Sequence, residues 1–510
     1  MTDAMRRIES RVDQRLRAFD RDRLGRRIWA RDHTVWRDDP AEIVDRLDWL
    51  TVAQDMRPLL PELRAFAQGC ADDGLTDALL LGMGGSSLAP EVFGSAFGVA
   101  SGMLDLHVLD TTHPDQILAL GRRLDLGRTL FLAASKSGTT IETRSHLAHF
   151  WSVSGGDAAR FVAITDPGTP LADLGIERGF RRVFENRPGI GGRYSALSLF
   201  GLVPAALIGA DLAGLLDRAE AMMASCGPDV SAEEAPALWL GAVLGEAALA
   251  GRDKLTLVLP DEIGAFGWWI EQLVAESTGK EGRGIVPVEG EGIGPPEVYG
   301  EDRLFVGLGE AGFLTELEEA GHPVAVLPFG EPLDLGGQMF EWELATAVAG
   351  HVLGIHPFDQ PDVGAAKDAT ARALAGPAGA APDPGSLADL LGSVQGGRDY
   401  VAIHAYLPRD EPTAARLQRV RVGLRDRLRA ATTVGFGPRF LHSTGQLHKG
   451  GPDTGVFVQV VEGPREDLEV PGQAYTFGRL LRAQADGDLQ ALRDRGRRVA
   501  RVGLRELEEA

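Results

Sequence analysis

Residues 135–140 read SKSGTT and place four hydroxyl groups within six positions. They follow the apolar run TLFLAAS (129–135) and precede a stretch with helical periodicity. Hydroxyls and backbone N–H groups at a helix start donate hydrogen bonds to an anion, and the helix dipole adds attraction. We therefore predict a phosphate-monoester site made by Ser135, Lys136, Ser137, Thr139 and Thr140. A helix-capping cluster is the alternative, and the absence of GxxxxGK[ST] disfavours nucleotide hydrolysis.

A second candidate anion site lies in GMGGSS, residues 82–87. Its glycines directly follow the apolar run DALLLG, and its serines open the next helical stretch. Glycines let the chain turn tightly and bring N–H groups towards a bound anion. We expect Gly85 and Ser86 to contact substrate; a tight turn capped by serine is the alternative.

The elements that must position these motifs alternate between short apolar runs and amphipathic stretches. The runs are residues 77–82, 104–110, 129–135, 160–166, 254–260, 302–309 and 322–329, and RDYVAIHAYL (398–407) and GVFVQVV (455–461) continue the pattern as part of a smaller C-terminal unit. Such alternation is typical of βαβ units and a parallel sheet covered by helices. We predict an α/β fold with two tandem, doubly wound parallel-sheet domains, a helical N-terminal segment and a smaller C-terminal α/β extension.

The predicted boundaries follow the composition. We expect a helical segment at 1–52, a first domain at 53–212, a second at 213–375, a linker at 376–394 and the extension at 395–510. The linker prediction rests on GPAGAAPDPGS (376–386), which lacks periodicity.

Charge and cysteine content narrow the function classes. The net charge of −21 argues against nucleic acid as a partner. No apolar run approaches the ~20 residues of a membrane span, and two cysteines favour a reducing cytosol over a disulfide framework. We expect no cofactor and no metal.

Only five of 52 basic residues are lysines, at positions 136, 254, 280, 367 and 449, and an ammonium group is not interchangeable with a guanidinium.

Five motifs in order resemble the phosphoglucose isomerase family, within the sugar-isomerase fold. After GMGGSS and SKSGTT come GGRYSALS (191–198), EQLVAESTGK (271–280) and FDQPDVGAAK (358–367). The flanking segments, from WARDHTVW to FGPRFLHSTGQLHKGG and AYTFGRLLRAQ, resemble the isomerase half of bacterial fused transaldolase–phosphoglucose isomerase proteins.

The resemblance implies reversible isomerisation of glucose 6-phosphate and fructose 6-phosphate through a cis-enediol. Glu276 would be the base that moves the proton, and Arg193 the fixed charge beside the enediolate, because guanidinium stays protonated. Lys367 would assist ring opening, and seven residues' separation could place it on one helix face with Gln360. Substrate contacts are implied for Gly192, Gln272 and Gln360. We expect Lys280 to order the loop that follows it.

The chain departs from the family in having no histidine in residues 281–302, where the ring-opening histidine belongs. His356, or His442 or His448 in LHSTGQLHKGG, is one replacement; we favour this C-terminal segment because its glycines would let it close over a site. Lys367 with water is a second explanation, and weak catalysis a third.

Two other functions remain open from sequence. One is a non-catalytic sugar-phosphate-binding module of the same fold, and the other is an isomerase for another sugar phosphate, such as mannose 6-phosphate. We expect a small-molecule sugar-phosphate partner, no nucleic-acid or membrane partner, a possible homodimer and a cytoplasmic location.

Overall fold

The computed structural model describes residues 3–309, 312–375 and 385–510. The side chains of residues 3–7, 365–367 and 375 lie outside the description. The described chain forms three wholly parallel sheets, ordered β2-β1-β3-β4-β5, β7-β6-β8-β9 and β11-β10-β12-β13. The strands are β1 Asp77–Leu81, β2 Asp105–Leu109, β3 Thr129–Ala134, β4 Phe161–Thr165, β5 Arg182–Glu185, β6 Lys254–Val258, β7 Val286–Val288, β8 Arg303–Leu308, β9 Val324–Leu327, β10 Tyr400–Tyr406, β11 Ala431–Phe436, β12 Gly455–Val461 and β13 Arg498–Val502.

Helices connect and cover these strands. The N-terminal part is helical, as predicted. The α-helices are α1 Asp3–Arg21, α2 Leu24–Trp29, α3 Val52–Met56, α4 Leu60–Asp72, α5 Leu88–Phe97, α6 Pro114–Arg123, α7 Ile141–Val153, α8 Pro170–Arg178, α9 Leu199–Leu207, α10 Leu212–Ser225, α11 Pro236–Leu249, α12 Phe266–Thr278, α13 Gly312–Glu319, α14 Leu335–Leu353, α15 Val363–Ala375, α16 Leu387–Gly392, α17 Glu411–Leu428, α18 Gly445–Gly450, α19 Phe477–Asp494 and α20 Leu504–Glu508.

The α/β class with parallel sheets is confirmed. All three sheets share one strand order, in which the second strand lies outside the first and the third lies on its other side. In such doubly wound sheets, ligands bind beyond the carboxyl ends of the strands where the order reverses. In the first sheet those ends, after β1 and β3, carry GMGGSS and SKSGTT.

The central core forms around α14, which is buried along nearly its whole length. Helix α11 lies against it so closely that glycines are needed at the contact. A Cβ on Gly245 would lie 2.6 Å from the Cβ of Val352, and one on Gly241 would lie 2.6 Å from that of Val348. Helix α1 packs on the outside of α11 and joins the N-terminal segment to this core.

Two sequence predictions about the C-terminal third need correction. The predicted linker 376–394 is not structureless: residues 376–384 lie outside the description, but α16 follows within it, because Leu387, Leu390 and Leu391 are buried in the C-terminal core. The segment expected to be a glycine-rich closing loop is instead helical, in a 3-10 turn at Arg439–His442 followed by α18. Helix α18 is buried because it packs against α12.

Across the described residues, we find no helix that is both long and apolar enough to span a bilayer.

We expect Gly245→Ala to lower the free energy of unfolding by about 1–3 kcal/mol, because the new methyl group overlaps Val352. Gly121→Ala in α6 is the matched control, since a Cβ there meets no atom within 4 Å. The control should be neutral or stabilising by up to about 1 kcal/mol. Melting midpoints of both variants check this; equal midpoints would mean that the helix contact relaxes freely.

Candidate active site

The glycine-rich turn after β1 draws three distant segments together. Gly84 has a left-handed backbone (φ +54°), and a Cβ there would lie 2.6 Å from the carbonyl oxygen of His442 and 2.8 Å from Nε2 of Gln272. A Cβ on Gly85 would overlap the carbonyl of Gly192. Ser86 is buried at the end of the 3-10 turn that Gly84 begins. The glycines here are therefore needed because other backbone segments approach this turn closely.

The SKSGTT segment forms the turn between β3 and α7. Ser135 is buried, and its hydroxyl bonds Oγ1 of Thr140 at 2.9 Å and accepts from the N–H of Gly138 at 3.1 Å. The hydroxyls of Ser137 and Thr139 lie 2.8 Å apart and are exposed. The segment thus exposes Ser137 and Thr139, while half-buried Thr140 is bonded to Ser135, which holds the turn.

Lys136 is engaged elsewhere. Its ammonium group forms an ion pair with Asp166 and donates to the carbonyl of Pro188 at 2.8 Å. Burial raises the pKa of Asp166, against the opposing effect of Lys136. Through this ion pair, Lys136 links the carboxyl ends of β3 and β4. Its charge is therefore not placed beside the exposed hydroxyls of Ser137 and Thr139.

A cavity of about 320 Å³ opens beside these hydroxyls. It lies between the start of α7, one face of α15, and the 3-10 turn and α18 of the C-terminal part. Its lining includes Ser137, Thr139, Thr140, Glu142, Val363, Thr370, Ala371, Leu374, His442, Gly445, Lys449 and Gln484. The cavity thus joins the first sheet to the C-terminal extension.

Arg193 forms the centre of a polar network that a hydrogen bond from Gln272 connects to His442 in the cavity lining. Its guanidinium donates to Oγ of Ser277 at 2.8 Å, to Oε1 of Glu276 at 2.9 Å, and to the carbonyls of Pro357 and Asp359 at 2.7 and 2.9 Å. Arg193 and Glu276 are 5% and 7% exposed. A buried guanidinium so fully bonded is fixed in place, as is the carboxylate that it holds.

Gln272, one helical turn before Glu276, links that carboxylate to the C-terminal extension. Its Nε2 donates to Oε2 of Glu276 at 3.1 Å and to the backbone carbonyl of His442 at 2.7 Å. Its Oε1 is buried without a hydrogen-bond partner among the described residues. Because a buried carbonyl needs a donor, this oxygen is available to accept one from a bound molecule.

His442 lies at the cavity with a carboxylate behind it. Its Nε2 is 3.0 Å from Oε1 of Glu142, which also accepts from Nε2 of Gln484 at 2.6 Å. Burial opposes ionisation of Glu142, but the charge of His442 and this hydrogen bond outweigh it and hold the pKa of Glu142 below its ordinary value. Such a carboxylate holds an imidazole in one orientation.

Sequence reasoning missed Glu142 and Gln484. Glu142 is the acidic residue of the first turn after SKSGTT, so its place beside the motif was the available signal. Gln484 lies on α19, about 340 residues further along the chain, and it ends the segment AYTFGRLLRAQ, whose resemblance to the family was the available signal.

The other two candidate histidines do not line the cavity. His448 is buried against His404 and Phe457, with ring centres 4.6 and 5.1 Å away, and burial lowers its pKa well below its ordinary value. His356 uses both ring nitrogens, one to the carbonyl of Ala41 and one to the N–H of Phe358, each at 3.1 Å. Both rings are placed as parts of the core.

Two lysines flank the network. Lys280 is buried and donates to the carbonyls of His356 and Asp359 and to Oδ1 of Asp359, each at 2.6 Å. It therefore anchors the 356–359 loop, beyond the loop directly after it that we expected it to order. Lys449 lines the cavity and pairs with Asp488 at 2.8 Å.

Helix α15 carries the position expected to assist ring opening. Lys367 lies outside the described side chains, but its spacing from Val363, Thr370 and Ala371 places its backbone on the helix face that lines the cavity. Gln360 is exposed and precedes the helix, which begins at Val363. The expectation that it shares a helix face with Lys367 is wrong, since residues 359–362 are not helical.

One cluster among the described residues has the spacing of metal ligands. Ligand atoms of Asp77, Asp105 and His107 lie within 4.8 Å of one another at the amino ends of β1 and β2. Arg123 lies 2.8 Å from Nδ1 of His107, however, and Nε2 of the same ring bonds Asp77 at 2.9 Å. These contacts describe an ion-pair cluster at the end of the sheet opposite the cavity.

Comparison with known proteins extends the picture. Glucose-6-phosphate isomerase from Thermus thermophilus is 30% identical over 387 residues, which cover 65% of this chain and 90% of that protein. The enzyme of the same name from Thermosynechococcus vestitus is 31% identical over 353 residues, covering 59% and 66%. The chain spans about two thirds of the length of the Cyanothece and Thermosynechococcus relatives and less than half of the length of the Trichormus one.

Solved structures agree on the fold. A hypothetical protein from Thermus thermophilus superposes with a TM-score of 0.63 at 27% identity, over 72% of this chain and 99% of that one. A glucose-6-phosphate isomerase from Chlamydia trachomatis gives 0.53 at 20% identity, over 69% and 78%. The family model described as phosphoglucose isomerase matches residues 28–287, just over half of the chain. The chain therefore belongs to the phosphoglucose isomerase family.

Proposed function

We propose that this protein is a glucose-6-phosphate isomerase. The observation that carries the proposal is the buried pair of Arg193 and Glu276, 2.9 Å apart, linked through Gln272 to a cavity with outward hydroxyls at a helix start. Aldose–ketose isomerisation needs these two functions together, an anchor for a phosphate and a carboxylate that moves a proton. The relatives' names point to the same reaction.

The phosphate end of the substrate binds at the start of α7. Ser137, Thr139 and Thr140 supply hydroxyl donors there, and α7 adds the positive end of its dipole. Lys449, across the cavity, contributes a buried positive charge whose partner is Asp488. The phosphate holds the sugar so that its reacting end extends towards Gln272.

Glu276 carries the proton between C1 and C2 of the open-chain sugar. It removes the proton from one carbon to give a cis-enediolate and returns it to the other carbon on the same face. Arg193 stabilises the enediolate oxygen electrostatically and does not compete for the proton, because a guanidinium stays charged. The buried Oε1 of Gln272 accepts a hydrogen bond from a substrate hydroxyl.

His442 opens the sugar ring, with Glu142 holding the imidazole. A protonated imidazole gives its proton to the ring oxygen, while the C1 hydroxyl loses one to a base. Lys367 joins this step by its place on the cavity face of α15. His442 thus replaces the histidine missing from residues 281–302, and it comes from the C-terminal extension.

The finer features of the protein remain proposals. We propose that the chain corresponds to the isomerase half of bacterial fused transaldolase–phosphoglucose isomerases, because its C-terminal segments resemble that half, and we expect a cytoplasmic homodimer. Light scattering tests the dimer. A binding-only module and an isomerase of mannose 6-phosphate are the rival functions, distinguished by turnover assays with each sugar phosphate.

We expect Glu276→Gln to lower kcat by about 10²–10⁴-fold, because the amide accepts no proton from carbon. Affinity for fructose 6-phosphate should change little, since the phosphate anchor is intact. Glu297→Gln, an exposed site, is the matched control. A coupled dehydrogenase assay and calorimetry measure both quantities. Full activity in Glu276→Gln would refute the base assignment, and binding without turnover in the unaltered protein would favour the binding module.

We expect His442→Asn to lower kcat by about 10-fold or more, because assisted ring opening is lost while spontaneous opening continues. Exchange NMR of glucose 6-phosphate anomers should show the same loss, and Glu142→Gln a smaller one. His33→Asn, in the N-terminal segment, is the control. An unchanged rate of anomer exchange in His442→Asn would mean that Lys367 and water, rather than His442, open the ring.

We expect Lys280→Met to lower kcat more than substrate affinity, because the 356–359 loop that contacts Arg193 loses its anchor. Stability gives an independent readout. Burial lowers the pKa of Lys280 to about 7 from 10.5, so the unfolded chain binds more protons between these values. The unaltered protein should therefore gain stability relative to Lys280→Met as pH rises through this range. Parallel melting curves of the two proteins against pH would contradict the burial.

A further inference from the structure

A second cavity, of about 210 Å³, lies apart from the one described above. Glu289 directly follows β7, Val434 to Phe436 end β11, and Arg409 follows β10 by three residues. The carboxyl ends of the second and third sheets therefore meet at this cavity, which is where parallel α/β sheets bind ligands.

Two buried carboxyl groups line it. Glu271 and Glu289 are each 8% exposed. The carboxyl group of Glu271 has neither a hydrogen bond nor an ion pair to any residue that the structure describes. Burial and the neighbouring charge of Glu289 raise the pKa of Glu271 to about 8, and burial also raises the pKa of Glu289. An unpartnered buried carboxyl group beside a cavity is an available hydrogen-bonding group.

Three arginines share the lining. Arg421 is held by the carbonyls of Glu289 and Thr432. Arg409 and Arg439 lie over the ring of Trp268, at 4.6 and 5.1 Å from its centre. Nη2 of Arg439 has no hydrogen-bond partner among the described residues. The cavity thus offers both donors and acceptors, with an aromatic side chain in its wall.

The charges of this group nearly balance. Arg409 pairs with Glu91 at 2.6 Å, and Arg439 pairs with Glu91 at 2.6 Å and with Asp110. Three arginines therefore face four carboxyl groups, and one proton on Glu271 makes the group neutral. An added anion would meet Glu271 and Glu289, and an added cation would meet the arginines, so either would leave an unpaired charge in a buried place.

We propose that this cavity binds a small neutral polyhydroxyl compound, such as a polyol or a monosaccharide without phosphate. Its hydroxyls donate to Glu271 and Glu289 and accept from the arginines, and its C–H face lies against Trp268. The proposal does not rest on the isomerase function. The site is distinct from the first cavity but adjoins it at residues 442 and 443, since His442 lines the first cavity and Ser443 lines this one.

The test measures binding of D-glucitol and myo-inositol to the full chain by calorimetry and ligand-observed NMR. Saturating glucitol 6-phosphate is added in parallel samples to occupy the first cavity. We expect saturable binding of at least one polyol in both samples, weakened about 10-fold or more in Glu271→Ala by the lost hydrogen bond. Glu262→Gln, an exposed glutamate before α12, is the matched control and should bind as the unaltered protein does.

A second variant tests the proposal independently, in case Glu271→Ala fails to fold. Ala414→Leu adds bulk at the cavity wall without removing a charge, and it should weaken binding while the melting midpoint stays unchanged. Absence of saturable polyol binding overturns the proposal. So does binding that glucitol 6-phosphate abolishes, since that places the polyol in the first cavity. Tighter binding of inorganic phosphate or methylammonium that Glu271→Ala removes would refute a neutral ligand.

Discussion

The guanidinium of Arg193 is the group on which the candidate site depends. It is nearly inaccessible to water and holds Glu276, Ser277 and two carbonyls of the 356–359 loop at once. A buried charge is costly unless it is hydrogen-bonded on every side, so these partners and the arginine constrain one another. Lys280 reinforces the same loop from the other side with three further bonds. Glu276 is therefore held rigidly, because Arg193 and its hydrogen-bond partners fix one another in place.

Close backbone approach is the second constraint. The turn after β1 must admit the carbonyls of His442 and Gly192, and any side chain at Gly84 or Gly85 would exclude them. The glycine-rich turn thus connects the first sheet to α12 and to the C-terminal extension. Its resemblance to an anion-binding turn arises from the same geometry, because small residues are needed wherever backbones meet.

The C-terminal extension contributes to the cavity itself. It supplies His442, Lys449 and Gln484 to the lining, and Gln484 and His442 share the carboxylate of Glu142, on α7 of the first α/β unit. At this interface, each of the two doubly wound units therefore supplies hydrogen-bond partners to polar side chains of the other. This arrangement explains how the proposed ring-opening histidine can come from outside the segment in which the family has it.

Much of the architecture could be predicted from the sequence. Buried apolar strands such as β1 and β3, together with the motif order, predicted the parallel α/β class. Strands β5, β7, β11 and β13 were not predicted. Strands β5 and β7 have only four and three residues, and β11 and β13 lie beside strongly helical stretches. The partial exposure of β5 also weakens its apolar pattern. The helical nature of residues 439–450 was missed because their glycines suggested a loop, whereas burial against α12 decides the conformation.

The sequence by itself determined which chemical groups are present and which of them lie near one another along the chain: SKSGTT, Gly-Gly-Arg and the ESTGK motif. Only the tertiary structure decided which groups meet. It turned Lys136 towards Asp166 and placed His442, rather than His448 or His356, beside the cavity. The physical reason is that partners such as Glu142 and Gln484 are some 340 residues apart, and no local periodicity encodes a contact that folding alone creates.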